Sequence, residues 1–206
     1  MTGSRVKSFR WLMGSVVLLT ATAFGSMKLA AQSELPKVQA IAAQPAVVQV
    51  VTAANTTQAN WTKAQITQYG RDWRKQFAAN QGALLAAVKN NPATQALTQA
   101  QQNSAGLYNE LTLFSQQGVI VADTQVGKQY RNASKVLWNQ AFLANGSYVS
   151  GVKNDRQLNQ KTISIAVPVL NSAQQPIGVL VAVLNTAQLP AMQKARSTKS
   201  SEQTQQ

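Results

Sequence analysis

The side chains able to do chemistry are few in this 206-residue chain. It has no His and no Cys, and only six acids, Glu34, Asp72, Glu110, Asp123, Asp155 and Glu202, against 19 Lys and Arg. Without imidazole or thiolate there is no zinc or iron–sulfur site, no thiol nucleophile and no His-based triad. Six scattered carboxylates leave little for a metal cage or for paired acid–base work. Ser4 and Lys7 have Ser-x-x-Lys spacing, but they lie in an export-type leader. Asp72 beside Arg71, Arg74 and Lys75 reads as a helix-surface ion pair. No Gly-rich phosphate loop is present. The sequons at Asn55, Asn60, Asn132 and Asn145 are what a chain rich in Asn, Ser and Thr produces by chance. The inventory excludes most hydrolytic and redox enzymes, calls for no cofactor, and leaves binding as the work to be done.

The formal net charge is +13, yet charged residues make up only 12% of the chain. The cations stand singly or in pairs, such as Arg74-Lys75, and never in a block of five. The charge comes from a shortage of acids on a surface filled by 27 Gln. That distribution argues against a nucleic-acid partner, whose phosphates call for clustered Lys and Arg.

The elements that must position any site begin with a leader. Arg5, Lys7 and Arg10 precede an uncharged stretch from Trp11 to Met27, the layout of an export signal or of a single membrane anchor. Cleavage after Gly25 or Ala31 and retention as an anchor are both compatible with it. In either case the positive end stays cytoplasmic and the remainder is extracytoplasmic, periplasmic or secreted, touching membrane only through residues 11–27. The longest later apolar run, Ile177–Leu184, is strand-sized, so no second span and no transducer domain are expected. With no cysteine, the fold must rest on packing.

Residues 1–31 are thus signal or anchor, and 32–56, broken by Pro36 and Pro45, read as a linker. From Thr57 to Val88 apolar residues recur at helical spacing (Ile66, Tyr69, Trp73, Phe77, Leu84, Val88), with a break at Gly82. Pro92 can open a short helix to Gln102. Then the period becomes two: a strand at 107–114, a turn at Ser115–Gly118, and a strand at 119–122. A helix over 133–143 follows, then strands at Tyr148–Val152, Thr162–Leu170 and Ile177–Leu184, with a polar loop at 153–161. The tail from 191 to 206 reads as disordered. The class is α+β: a long N-terminal helix packed on an antiparallel sheet of about five strands.

Several strings carry a family resemblance. Leu111–Thr124 (LTLFSQQGVIVADT), Val126-Gly-Lys128, Trp138-Asn-Gln-Ala141, and Ile163-Ser-Ile-Ala-Val-Pro-Val169 followed by Pro176-Ile-Gly-Val-Leu180 resemble the Cache family of extracytoplasmic sensor domains, whose fold is PAS-like. The resemblance spans residues 57–190. It implies a small-ligand pocket between the sheet and the short helix with its leading loop. Contacts there would come from Tyr130, Arg131, Trp138, Tyr148, Lys153 and Asp155. An aromatic wall with one or two cations suits a small carboxylate or amino acid, because Arg grips a carboxylate through paired hydrogen bonds. The family's amino-acid binders carry an Arg two residues before the helix Trp, where this chain has Val136.

The function so implied is an exported, non-enzymatic ligand-binding module that passes its bound state to a signalling partner protein. The alternative is an envelope interaction protein that forms a homodimer through its aromatic helix seam, with the pocket filled by Trp138 and Tyr148.

Overall fold

Pro36 and Pro45 start helices instead of ending them. In the computed structural model, which describes residues 27–127, 136–156 and 158–190, a helical turn at 27–32 leads into α1 (Leu35–Ala42) and α2 (Pro45–Gln58). Each proline sits in a first helical turn, where its missing N–H costs nothing and its fixed φ is already helical. The expected linker is therefore part of the folded unit. Val38, Ile41, Val47 and Val51 are buried against the sheet. Asn55 Nδ2 donates to the Ile177 carbonyl at 2.7 Å, and Ser115 Oγ donates to Gln58 Oε1 at 2.6 Å. What misleads in the sequence is the Ala/Gln/Val composition, whose buried positions are small residues with a weak periodic signal.

The aromatic seam forms α3 (Lys63–Ala79), opened by a capping box. Thr62 Oγ1 accepts from Gln65 N at 3.2 Å, and Gln65 Oε1 accepts from Thr62 N at 2.8 Å. Asn80, in the left-handed region at φ 49°, ends it, and α4 (Ala83–Lys89) follows the expected break at Gly82. α5 spans Pro92–Gln102, capped by Asn91 Oδ1 on Thr94 N at 3.0 Å. Trp73, the centre of the seam, is fully buried inside its own chain. Its indole belongs to the chain's own core, while Trp61, Tyr69 and Phe77 of the same seam are half-buried.

Among the described residues the sheet has six strands, one more than expected, all paired antiparallel. They are β1 (Tyr108–Ser115), β2 (Ile120–Asp123), β3 (Tyr148–Val149), β4 (Lys153–Asp155), β5 (Gln160–Leu170) and β6 (Pro176–Asn185). The path runs β2-β1-β6-β5-β3, with β4 also on β5. The chain's last strands thus occupy the centre, the order of a PAS-like sheet. β4 lies where a loop was expected, because Lys153 and Asn154 are polar edge positions that pair with β5 through backbone alone. Between β2 and β3 a short helix, α6 (Val136–Trp138), runs into a π-helical turn, Asn139–Leu143.

Alternation along the strands divides the core in two. Leu111, Leu113, Ile163, Ile165, Val167, Leu180 and Leu184 face α1, α2 and α5 on the back. Phe114, Ile120, Ala166, Val179 and Val181 face α3, α4 and α6 on the front. Among the described residues no helix is long and apolar enough to cross a membrane. The leader at 11–27 and the tail expected to be disordered both lie outside the described residues.

Candidate functional site

The front face is where sheet, short helix and aromatic seam converge. Its floor is Phe114, Ile120, Ala166, Val179 and Val181, and its cover comes from Trp73 on α3 and Trp138 and Ala141 from the short helix. The Trp138 and Phe142 rings stack at 4.7 Å and 24°.

The two tryptophans differ in their polar atoms. Trp73 Nε1 donates to the Gly127 carbonyl at 3.0 Å. Trp138 is only 6% exposed, and its Nε1 is buried with no hydrogen-bond partner. A buried donor left unpaired costs about 1–3 kcal/mol. An indole N–H can only donate, so what would relieve that cost is an acceptor oxygen.

At the β1–β2 end the same face carries two acids. Thr112 pairs with Asp123 across the strands and Glu110 lies two residues before it, so all three share Phe114's side. The Thr112 hydroxyl donates to Glu110 Oε1 at 3.1 Å and also hydrogen-bonds Asp123. Asp123 Oδ1 accepts from Gln125 N at 2.9 Å and Oδ2 from Gly127 N at 3.4 Å. Burial, and then the neighbouring Glu110 carboxylate, push the Asp123 carboxyl up to about 8, overriding those donors. Near neutral pH Asp123 thus holds a proton, and through Gly127 it fixes the strand end to the loop that accepts Trp73. The sequence reading passed over this group. The strand alternation that puts Glu110 and Thr112 beside Phe114 was the available signal.

The expected site residues are placed as follows. Trp138 is in the front cover. Tyr148 pairs with Ala166 and so shares the front side of the sheet, half-buried. Lys153, exposed, pairs with Thr162, and Asp155 pairs with Gln160, on the same side but farther along β5. Ala166 and Gln160 are six residues apart, about 20 Å at ~3.3 Å per residue, too far for one small ligand to touch both Tyr148 and Asp155. Asp155 Oδ1 accepts from Leu158 N at 3.1 Å, shaping its own turn. Tyr130 and Arg131 lie outside the described residues. Val136, where amino-acid binders of the resembled family carry Arg, is 59% exposed. Among the described residues no group of His, Cys, Asp or Glu could hold a metal ion.

No family model matches the chain, and no curated protein matches it in sequence. Solved structures do show similarity. The sensor domain of the V. cholerae histidine kinase DctB aligns over 85% of this chain and 58% of its own, at 13% identity and a TM-score of 0.48. The ligand-binding domain of the Pseudomonas aeruginosa PAO1 amino acid chemoreceptor PctC, in complex with GABA, aligns over 87% and 63%, at 14% and 0.46. The E. coli DcuS sensor domain aligns over 80% and 95%, at 11% and 0.46. This chain spans about three fifths of the length of the first two. All three are Cache-type sensor domains, the class that the sequence strings resemble.

Proposed function

We propose that this chain is an exported, non-enzymatic sensor-type module that binds a small carboxylate-bearing ligand on the front face and hands its bound state to a partner protein. The observation that carries the reading is the Trp138 indole N–H, buried on the front face without an acceptor. A carboxylate oxygen fits it in chemistry and in charge. An N–H to an ionised acceptor contributes about 1.5–3 kcal/mol, more than a bond between neutral groups. Tyr148 supplies a second contact from the neighbouring strand. The protonated Asp123, whose hydrogen bonds are taken up inside the chain, adds no charge of its own beside Glu110 on that face. Lys153 is an exposed rim cation that draws anions in without fixing them. The partner is a signalling protein, and export through the leader at 11–27 puts the module outside the cytoplasm.

A thermal-shift screen with small mono- and dicarboxylates, amino acids, amines and purines tests the reading. A ligand at about a hundred times its Kd stabilises by roughly 2.7 kcal/mol, which for a chain of this size raises Tm by about 5–10 °C. The expected hits are carboxylates, and Trp138→Phe weakens them by the factor that one charge-assisted hydrogen bond supplies. If no carboxylate stabilises the protein, or if the hits survive Trp138→Phe unchanged, the proposal fails.

A further inference from the structure

Where the β1–β2 pairing ends, two carboxyl groups share one hydroxyl. Thr112 faces Asp123 across the strands, and Glu110 lies two residues before Thr112 on β1. The Thr112 hydroxyl has a single proton, which Glu110 Oε1 accepts at 3.1 Å. Its other hydrogen bond, with Asp123, is then one that Thr112 accepts, and only a protonated carboxyl can donate it. On its far side the same carboxyl holds a loop. Gln125 N donates to Oδ1 at 2.9 Å and Gly127 N to Oδ2 at 3.4 Å. The Gly127 carbonyl in turn accepts from Trp73 Nε1 at 3.0 Å. One buried side chain thus joins the strand end, the loop after it and a tryptophan that covers the front face.

The charges around Asp123 leave Glu110 as the neighbour that matters. α2 and α5, which pack on β2, have no titratable side chain. On α4, Lys89 is exposed and donates to Asn80 Oδ1 at 3.1 Å. On α3, Lys63, Arg71, Arg74 and Lys75 are exposed, Asp72 Oδ1 accepts from Gln68 Nε2 at 3.0 Å, and Tyr69 stacks on Trp61. When Asp123 loses its proton it has nothing left to donate to Thr112, and its charge stands against Glu110 where water screens little. An ionised carboxylate also binds N–H donors more strongly than a neutral one, and both of its N–H donors are on the loop. The carboxylate therefore keeps Gln125 and Gly127 and gives up Thr112, which draws the Gly127 carbonyl off the Trp73 indole.

We propose that Asp123, Thr112 and Glu110 form a pH-sensitive clasp, which with its proton in place closes the β2 end and residues 124–127 onto β1 and Trp73, and without it releases them and loosens the front cover. The clasp works with or without a ligand on the front face, so it stands apart from the carboxylate reading.

Fluorine NMR of the full chain labelled with 5-fluorotryptophan, recorded from about pH 6 to pH 9.5, tests this. Trp73→Phe identifies the Trp73 resonance among the four. That resonance should move through a single step centred at about pH 8, where burial and Glu110 place the Asp123 titration. Asp123→Asn, whose amide donates to Thr112 as the protonated acid does, should abolish the step and hold the low-pH position throughout. Glu110→Gln removes the like charge and should move the midpoint to lower pH. A Trp73 resonance that stays still across this range, or a step that survives Asp123→Asn unchanged, overturns the proposal. If Asp123→Asn does not fold, Glu110→Gln decides alone, and an unmoved midpoint overturns it.

Discussion

Replacing each front-face tryptophan by Phe should separate two side chains that sequence and burial make look alike. Trp138 is 6% exposed and Trp73 fully buried, and both belong to the front cluster. Shrinking either indole to a phenyl ring costs about 2 kcal/mol in lost burial and residual void. At Trp73 the substitution also removes the donor to the Gly127 carbonyl at 3.0 Å. Leaving that carbonyl unpaired adds about 2 kcal/mol, for a total near 4. At Trp138 the N–H has no partner, so its removal returns about 2 kcal/mol and the two contributions cancel. At ~2–4 °C per kcal/mol for a chain of this size, Trp73→Phe should melt roughly 10 °C below the parent while Trp138→Phe melts within about 2 °C of it. Circular-dichroism melts of the three proteins at one pH provide the measurement. The same Trp138→Phe protein should lose about 10- to 150-fold in affinity for a carboxylate ligand, the loss of one charge-assisted hydrogen bond. A Trp138→Phe protein as unstable as Trp73→Phe would refute the reasoning, because the indole N–H would then be satisfied in the ligand-free chain and would not be waiting for an acceptor.

Two further substitutions test the frame around the site. Asp123 keeps its proton up to about pH 8 when folded and loses it near 3.8 when unfolded. The folded state therefore binds more protons in that window, so stability falls as pH rises, by ~1.4 kcal/mol per unit, or about 4 kcal/mol from pH 5 to pH 8. Asp123→Asn should flatten this slope in urea titrations at the two pH values and leave the variant the more stable protein at pH 8; parallel slopes for the two proteins would contradict the assignment. Gly178 lies where β6 passes β1 and α2 most closely, and an added Cβ would overlap the Phe114 carbonyl oxygen and sit 2.8 Å from Val51 Cγ1. Gly178→Ala should cost about 3 kcal/mol by overpacking, read as a lower urea midpoint at unchanged slope, and a neutral result would mean that α2 is not seated on the sheet.

Long periodic segments were legible from the sequence and short or polar ones were not. The seam from Ile66 to Phe77, the break at Gly82, the Pro92 helix and the hairpin at Ser115–Gly118 all follow from spacing, capping and turn chemistry. The segment 32–56 did not, because its prolines signal a helix start and a helix stop equally well in isolation. What decides between them is the back face of β5 and β6, where Ile165, Val167 and Leu180 need the cover that Val38, Val47 and Val51 help supply. β4 was invisible for the opposite reason: an edge strand of Lys, Asn and Asp has no apolar side to announce it. Trp138 and Tyr148 lie on the front side, whereas the partners of Lys153 and Asp155 on β5 lie four and six residues from Ala166, about 13 and 20 Å along the strand. The Asp123–Thr112–Glu110 group escaped notice because its acids are separated by a hairpin and meet only through strand pairing.

The position of β6 explains how occupancy on one face could be felt on the other. Val179 and Val181 form part of the front floor, and between and beside them Leu180 and Ala182 point to the back, into the layer holding Val38, Val47 and Val51. A close-packed interior does not absorb displacement by compressing. A ligand pushing on the front valines, as proposed, would bear on the residues that seat α1 and α2. Gly178 shortens this path, since it alone lets Val51 and the Phe114 carbonyl approach β6 closely. The hydrogen bonds from Asn55 to the Ile177 carbonyl and from Ser115 to Gln58 hold the far end of α2 fixed at the strand termini.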